Sequence, residues 1–331
     1  MPTFRRIILA SRPEGAATRS NFRMEELQTP LLQPGELLVR NEWLSLDPYM
    51  RGRMNEGRSY AKPQPVGEVM VGGTAGTVIE SRNPQFKPGD KVVGYLGWQE
   101  YGVSDGTGMM KVDTRVIPLS AYLGPVGMPG VTAWYGLKRV LEARAGETIV
   151  VSAAAGAVGS VVGQLAKLAG CRAVGIAGGK EKCSYAVVEL GFDACIDYKS
   201  QDVTRALKDA APQGIDGYFE NVGGKILEAV FPRMNTFGRI AVCGLIAGYD
   251  GQPIPLANPA WFLVSRLKMQ GFIVSDHLDL WPQAMKELAT QVATGGIKYR
   301  ESVVQGLENA PRAFLGLLKG ANFGKQLVKL A

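Results

Sequence analysis

Residues 148–179 read TIVVSAAAGAVGSVVGQLAKLAGCRAVGIAGG, and this stretch decides the fold. Residues 148–153 form a short apolar run rich in β-branched side chains, the composition of a buried strand. The turn Ala154, Ala155, Gly156, Ala157, Val158, Gly159 follows at once. Val158, Val161, Val162, Leu165, Ala166 and Ala169 then recur at helical spacing, with Ser160, Gln164 and Lys167 on the opposite face, until Gly170 stops the helix. A second strand near Ala173 completes a βαβ unit. In such a unit the small turn residues let backbone N–H groups approach a pyrophosphate, and the helix N-terminus adds the positive end of its dipole. The pattern predicts a dinucleotide site.

The glycine motif is incomplete. The first glycine of G-x-G-x-x-G is Ala154 here, and Gly156 and Gly159 remain, so a turn that merely packs helix against strand is the plainer alternative. The second strand ends Ala177, Gly178, Gly179, Lys180, Glu181, Lys182. An NAD site usually places an acid at this strand tip to bind the adenosine ribose hydroxyls. Gly178 stands there instead, and the two lysines beyond it suit a ribose 2′-phosphate, so the expected cofactor is NADPH. Solvated first-turn lysines are the competing reading, and Glu181 stays available to a ribose.

With 331 residues, 46% of them hydrophobic and 20% charged, the chain has room for two globular domains. No segment reaches the length of a membrane span, and the apolar run at residues 7–10 is too short for a signal peptide. Cys171, Cys183, Cys195 and Cys243 are dispersed without a C-x-x-C pair, which fits a reducing cytoplasm. Thirty-seven Lys and Arg against 30 Asp and Glu give a net charge of +7. These cations are scattered and not interleaved with aromatics, so they suit an anionic small molecule rather than nucleic acid. The chain has one histidine, His277, and no cysteine cluster, so no zinc site is expected. His277, in SDHLDLW, reads as a residue of a strand-to-helix turn rather than a catalytic base.

Residues 1 to about 124 are mostly strands and turns. From Met128 the pattern changes to helices near residues 131–141, 158–169, 180–190 and 201–211, alternating with strands near Ile149, Ala173, Ala194, Gly217, Arg239 and Met269. That alternation predicts a doubly wound α/β domain. After Gly295 and Gly296, the tail with IKYRESVV, the helix ENAPRAFLGLLKG and the strand KQLVKL reads as a return to the first domain. The expected division is 1–125 with 297–331, and 126–296.

Seven motifs carry a family resemblance: LSLDPYMRGRM (44–54), GMPGVTAWYGL (127–137), AAAGAVGSVVGQLAK, IDGYFENVGG (215–224), VCGLIAGYD (242–250), MQGFIVSD (269–276) and GLLKGANFGKQLVK (316–329). Together they span nearly the whole chain. The chain resembles the zinc-free branch of the medium-chain dehydrogenase/reductases, with its prostaglandin reductases, alkenal double-bond reductases and bacterial NADPH-dependent curcumin reductases. The likeness to the curcumin reductase group is the strongest. It implies a GroES-like β-rich catalytic domain, an inserted Rossmann domain with a doubly wound parallel sheet, and NADPH in the cleft. It also implies a cytoplasmic homodimer that reduces the C=C bond of α,β-unsaturated ketones and aldehydes.

Carried over by position, the family's cofactor contacts fall on Gly156, Ala157, Val158, Gly178, Lys182, Tyr198, Asn221, Cys243, Gly244, Phe272, Ile273, Val274, Asn322 and Gly324. Residues 247–259, AGYDGQPIPLANP, are shorter than the family's usual segment beside the substrate mouth.

Hydride delivery to the β-carbon of an enone pushes charge onto the carbonyl oxygen, and without zinc the available neutral donors are tyrosine hydroxyls and the cofactor's own ribose 2′-hydroxyl. Tyr249, just past a strand end, and Tyr49, in DPYMRGRM, are the candidates, with Tyr49 as a packing residue the competing reading. Asp47 and Arg51 are spaced to pair and brace the Tyr49 loop. Met50, Met54, Trp98, Met109 and Met110 line a substrate pocket or, more commonly for such residues, the core. The apolar stretch WFLV (261–264) and the strand MQGFIV would suit edge-to-edge pairing of two copies. A zinc-free NADPH quinone oxidoreductase is the alternative enzyme, and an NADPH-binding sensor or structural protein the alternative outside enzymes.

Overall fold

The computed structural model describes residues 3–331 and divides the chain into two compact units, residues 3–124 with Glu301–Ala331, and Pro125–Arg300. Met1 and Pro2, the start of the expected first domain, lie outside the described residues. The first unit opens with β1 (Thr3–Leu9), β2 (Phe22–Gln28), β3 (Leu37–Ser45), the short helix α1 (Tyr49–Arg53), β4 (Thr74–Ser81), β5 (Lys91–Gly94), β6 (Tyr101–Ser104) and β7 (Met110–Lys111). The second carries α2 (Met128–Tyr135), β8 (Thr148–Ser152), α3 (Gly159–Leu168), β9 (Arg172–Ala177), α4 (Lys180–Val188), β10 (Ala194–Asp197) and α5 (Val203–Ala210). It continues through β11 (Ile215–Glu220), α6 (Gly224–Val230), β12 (Met234–Val242), α7 (Ala260–Val264), β13 (Lys268–Gly271) and α8 (Trp281–Ala293). The chain then re-enters the first unit for β14 (Glu301–Gln305), α9 (Ala310–Leu318) and β15 (Lys325–Lys329).

The second unit is built on a six-stranded sheet in the order β10-β9-β8-β11-β12-β13, every neighbouring pair parallel. Alternation along β8 shows why helices cover both faces. Ile149 and Val151 enter one core with Val161, Val162 and Leu165 of α3 and Leu288 of α8, while Val150 enters the other with Leu207 of α5 and Leu227 of α6. Each such side chain contributes about 1.5–3 kcal/mol on burial. The strand order reverses between β8 and β11, and in open parallel sheets the crevice at the carboxyl end of that switch point is where ligands bind.

Two helix boundaries differ from the sequence pattern for local reasons. The α-helical bonding of α2 ends at Tyr135, and residues Gly136–Val140 form a π-turn. A Cβ on Gly136 would lie 2.4 Å from the Phe219 ring and 2.8 Å from Phe272, so the backbone is pressed onto an aromatic pair there. Helix α5 starts two residues later than the apolar spacing implies, because the Asp202 carboxylate caps it, accepting the Arg205 N–H at 2.8 Å.

The first unit holds a seven-stranded sheet, β14-β15-β3-β4-β5-β7, with β6 also paired to β3. Its aromatic centre is Trp98, stacked on Phe22 at 5.3 Å and edge-on to Phe314 of α9 at 5.6 Å. Met50, Met54 and Trp98 are fully buried in this cluster, which makes them core rather than pocket lining, and Met109 packs beside the Phe86 cluster. The tail enters the sheet as β15, antiparallel to β3 with Leu327 opposite Ser45, so residues 45–49 and 322–326 become neighbours. Among the described residues no helix is long and apolar enough to cross a membrane.

Candidate active site

At the end of β8 the chain turns through Ala153, whose φ of 50° is left-handed, at a cost of about 1–2 kcal/mol for a residue with a side chain. The Gly156 N–H donates to the Ala153 carbonyl at 2.9 Å. A Cβ at Gly159 would lie 2.4 Å from the same oxygen, so the first turn of α3 sits directly on the strand end. Gly156, Ala157 and Val158 therefore form a tight, side-chain-poor turn at the switch point, the shape that a pyrophosphate requires.

At the tip of β9 the position of the missing acid is crowded by an aromatic ring. A Cβ on Gly178 would meet the Tyr198 hydroxyl at 2.7 Å, because the Tyr198 ring from the end of β10 lies across the position. The neighbouring acid, Asp197, is committed to the backbone: it accepts the Gly179 N–H at 2.7 Å and the Lys199 N–H at 3.0 Å, and the first of these bonds does most to lower its carboxyl pKa. Lys182 is half-buried, and burial first and the charge of Lys199 second lower its pKa. Lys182 thus feels the charge of a second cation at these strand tips, a repulsion that a dianionic phosphate would relieve. Lys199 escaped the sequence reading because it belongs to the next βα turn. Glu181 lies 3.9 Å from Arg300.

At the tips of β11 and β12 three expected residues converge. A Cβ on Gly244 would lie 3.2 Å from the Tyr249 hydroxyl and 3.6 Å from the Asn221 carbonyl, so Tyr249, Gly244 and Asn221 share one small space. The Asn221 amide donates to the Ser152 carbonyl at 2.8 Å. Burial, followed by the Glu220 carboxyl, pushes the Cys243 thiol up to about 12, which keeps it a neutral thiol at pH 7. Phe272 and Val274 turn their side chains into the core, where Phe272 meets Phe219 edge-on at 6.1 Å, so a ligand could use only their backbone. Ile273 between them is partly exposed.

In the first unit, Tyr49 opens α1. Burial first, and then the Asp47 carboxylate, raise its hydroxyl pKa well above the ordinary tyrosine value, with Tyr95 and Tyr60 also close enough to contribute. Neither of those two tyrosines stood out in the sequence. The expected Asp47–Arg51 pair is replaced by another. Asp47 accepts from the Lys325 ammonium at 2.8 Å and from the Ser45 hydroxyl, while Arg51 donates to the Asn55 side chain at 2.6 Å and to the Gly15 carbonyl. Arg51 points away because α1 is a single short helix whose i+4 neighbour, Asn55, intercepts it. Lys325 also donates to the Leu46 carbonyl at 2.8 Å. It follows directly on the turn at Asn322 and Gly324, where the Asn322 amide donates to the Gly324 carbonyl at 2.8 Å.

The donor set does not fit a catalytic metal. Among the described residues no group of three His, Cys, Asp or Glu side chains is placed to hold one. His277 bonds to the Tyr135 hydroxyl at 2.7 Å and stacks on its ring, and burial pushes the Cys195 thiol far above its ordinary value, outside the range in which thiolate ligands form readily, where it faces Cys183.

A doubly wound parallel sheet with a glycine turn at its switch point, cations at the adjacent strand tip and a tyrosine hydroxyl at the far tip defines a dinucleotide-dependent oxidoreductase. Residues 5–112 match a family described as the N-terminal domain of oxidoreductase, and residues 157–290 one described as zinc-binding dehydrogenase. The chain is 47% identical to the NADPH-dependent curcumin reductase of Escherichia coli, covering 99% of this chain and 97% of that protein. It is 42% identical to the NADP(+)-dependent 2-alkenal reductase of Nicotiana tabacum, covering 99% and 97%. A crystal structure of CurA from Vibrio vulnificus in complex with NADPH superposes with a TM-score of 0.94 at 47% identity, covering 99% of both chains. The chain belongs to the medium-chain dehydrogenase/reductase family, in the branch of these curcumin and alkenal reductases.

Proposed function

We propose that this protein is an NADPH-dependent reductase of C=C bonds conjugated to a ketone or aldehyde, working without a metal. The Tyr249 hydroxyl beside Gly244 and Asn221, at the carboxyl edge of a dinucleotide sheet, carries the assignment. The NADPH-dependent curcumin and 2-alkenal reductases among the relatives support it. In this reading residues 126–296 bind NADP(H) and the rest of the chain forms the catalytic domain.

The pyrophosphate would lie against Gly156, Ala157 and Val158, the 2′-phosphate against Lys182 with Gly178 and Tyr198 under the adenosine ribose, and the nicotinamide half against Asn221, Cys243, Gly244 and the backbone of residues 272–274. Asn322 and Gly324 would contribute from the catalytic domain. Bound NADPH supplies a hydride from C4 of its nicotinamide. As the substrate's β-carbon gains that hydride, its π electrons move to the carbonyl oxygen, and Tyr249 donates a hydrogen bond to the developing charge. One such donor is worth about 3 kcal/mol of barrier. The enolate then takes a proton at its α-carbon. Tyr49, whose raised pKa keeps the hydroxyl protonated through neutral pH, is the second donor. Enone-dependent NADPH oxidation tests the assignment: turnover of simple quinones with none on any enone or enal would replace it with a quinone reductase.

Two nucleotide predictions follow from the strand tips. NADPH should bind at least tenfold more tightly than NADH, and Lys182→Ala should remove about tenfold of that preference, roughly 1.4 kcal/mol, with NADH affinity unchanged. Fluorescence titration of both nucleotides measures this, and equal affinities in the wild type would end the 2′-phosphate assignment. Gly178→Asp should not create an NAD site by itself, because the new side chain meets Tyr198. NADPH affinity is expected to fall at least tenfold, with NADH recovering only when Tyr198→Ala is added. A clean switch in the single variant would contradict the steric account.

We further propose a homodimer that pairs the β13 edges. β13 is the last strand of its sheet, and Leu263 and Val264 of the preceding helix are 80% and 58% exposed. Sedimentation at twice 35.5 kDa is the expected result. Four free cysteines support a cytoplasmic setting.

A further inference from the structure

Glu220, the last residue of β11, is completely buried although the chemistry above gives it no role. Its Oε1 accepts the Ser152 hydroxyl at 2.8 Å and the Val222 N–H at 2.5 Å. The Ser152 oxygen accepts the Asn221 N–H at 2.8 Å, and the Asn221 amide returns a bond to the Ser152 carbonyl at 2.8 Å. One carboxyl thus ties the end of β8 to the turn that follows β11, across the switch point. Its second oxygen, Oε2, is buried with no hydrogen-bond partner among the described residues, and the Tyr218 hydroxyl lies close by without meeting hydrogen-bond geometry. A buried carboxyl is an expensive way to fill a core, and an apolar side chain of similar volume often serves stability as well or better. What the carboxyl does provide is direction, since it fixes two donors at once.

We propose that Glu220 is a positioning residue for the nucleotide, acting through Ser152 and the 221–222 backbone to hold Asn221 in the orientation that receives the nicotinamide half. The inference rests on the reading of Asn221 as a nucleotide contact. Burial pushes the Glu220 carboxyl up toward its neutral form, and glutamine reproduces that form with its carbonyl in the place of Oε1.

The test is NADPH affinity by fluorescence titration of the full-length protein, in wild-type and Asn221→Ala backgrounds. Glu220→Leu should raise the NADPH Kd at least tenfold, and Glu220→Gln less than threefold. In the Asn221→Ala background Glu220→Leu should add less than threefold, because the residue it positions is already gone. Equal losses in the two backgrounds would show a general structural role and overturn the proposal. Should Glu220→Leu fail to fold, Ser152→Ala cuts the same link with a smaller change and should still raise the Kd about fivefold. Unchanged affinity in Ser152→Ala would equally overturn the proposal. If Asn221→Ala alone binds NADPH like the wild type, the Asn221 contact is wrong and the proposal falls with it. A weakened Asn221→Ala combined with additive losses removes the Glu220 proposal and leaves the contact standing.

Discussion

Replacing Lys325 with Met should destabilise the protein by about 3–5 kcal/mol, the usual consequence of stranding one charge of a buried pair. The side chains of Lys325 and Asp47 are 3% and 8% exposed and 2.8 Å apart, and burial, the largest influence on Lys325, lowers its pKa despite the carboxylate beside it. With Lys325 gone, Asp47 keeps the Ser45 hydroxyl but loses its counter-ion in a site that water does not reach. The loss amounts to a fall in Tm on the order of 10 °C for a unit of this size. Adding Asp47→Asn to Lys325→Met should recover much of it, since no charge is then left unpaired. Chemical denaturation of the wild type and the two variants measures the effect. A single variant within about 1 kcal/mol of the wild type would mean that the pair contributes little and that residues 45–49 and 322–326 are held by β3 and β15 alone.

Tyr249→Phe should lower kcat for an enone about 100-fold while leaving the NADPH Kd within about twofold. Removing a hydroxyl aimed at a developing oxyanion typically costs about 3 kcal/mol of barrier and little ground-state binding. The ring that packs beside Gly244 is retained, so the space next to Asn221 keeps its shape. Tyr49→Phe provides the comparison. If Tyr49 is the proton donor, its loss should depress kcat while leaving the pH profile below the ordinary tyrosine range unchanged in shape, because its hydroxyl titrates above that range. Turnover by Tyr249→Phe within threefold of the wild type would remove that hydroxyl from the reaction.

What could be read from the chain and what could not separate along a physical line. The βαβ unit at residues 148–177 was legible because its strands are short and β-branched and its helix repeats at the right spacing, all local properties. The same holds for the tail, whose helix and strand appear as α9 and β15. Partnerships between distant residues were not legible. Asp47 and Lys325 are 278 positions apart, and the nearby Arg51 was the natural but mistaken partner. The Tyr198 ring over Gly178 depends on the register of β9 and β10, in which Ala177 lies opposite Asp197, and no local pattern reveals it. Lys199 and Glu220 were passed over because a lysine in a turn and a glutamate after an aromatic usually face water. Here Glu220 is wholly buried, and Lys199 acts through its charge on Lys182.

The most direct measurement follows the hydride itself. A simple α,β-unsaturated ketone is reduced with NADPH deuterated at the transferred C4 position, after exhaustive chelation, and the product is analysed by NMR and mass spectrometry. Deuterium on the β-carbon of a saturated ketone, with the carbonyl intact and the α-hydrogen drawn from solvent, is the predicted result. Deuterium on a carbinol carbon, or activity that vanishes on chelation and returns with zinc, would contradict it.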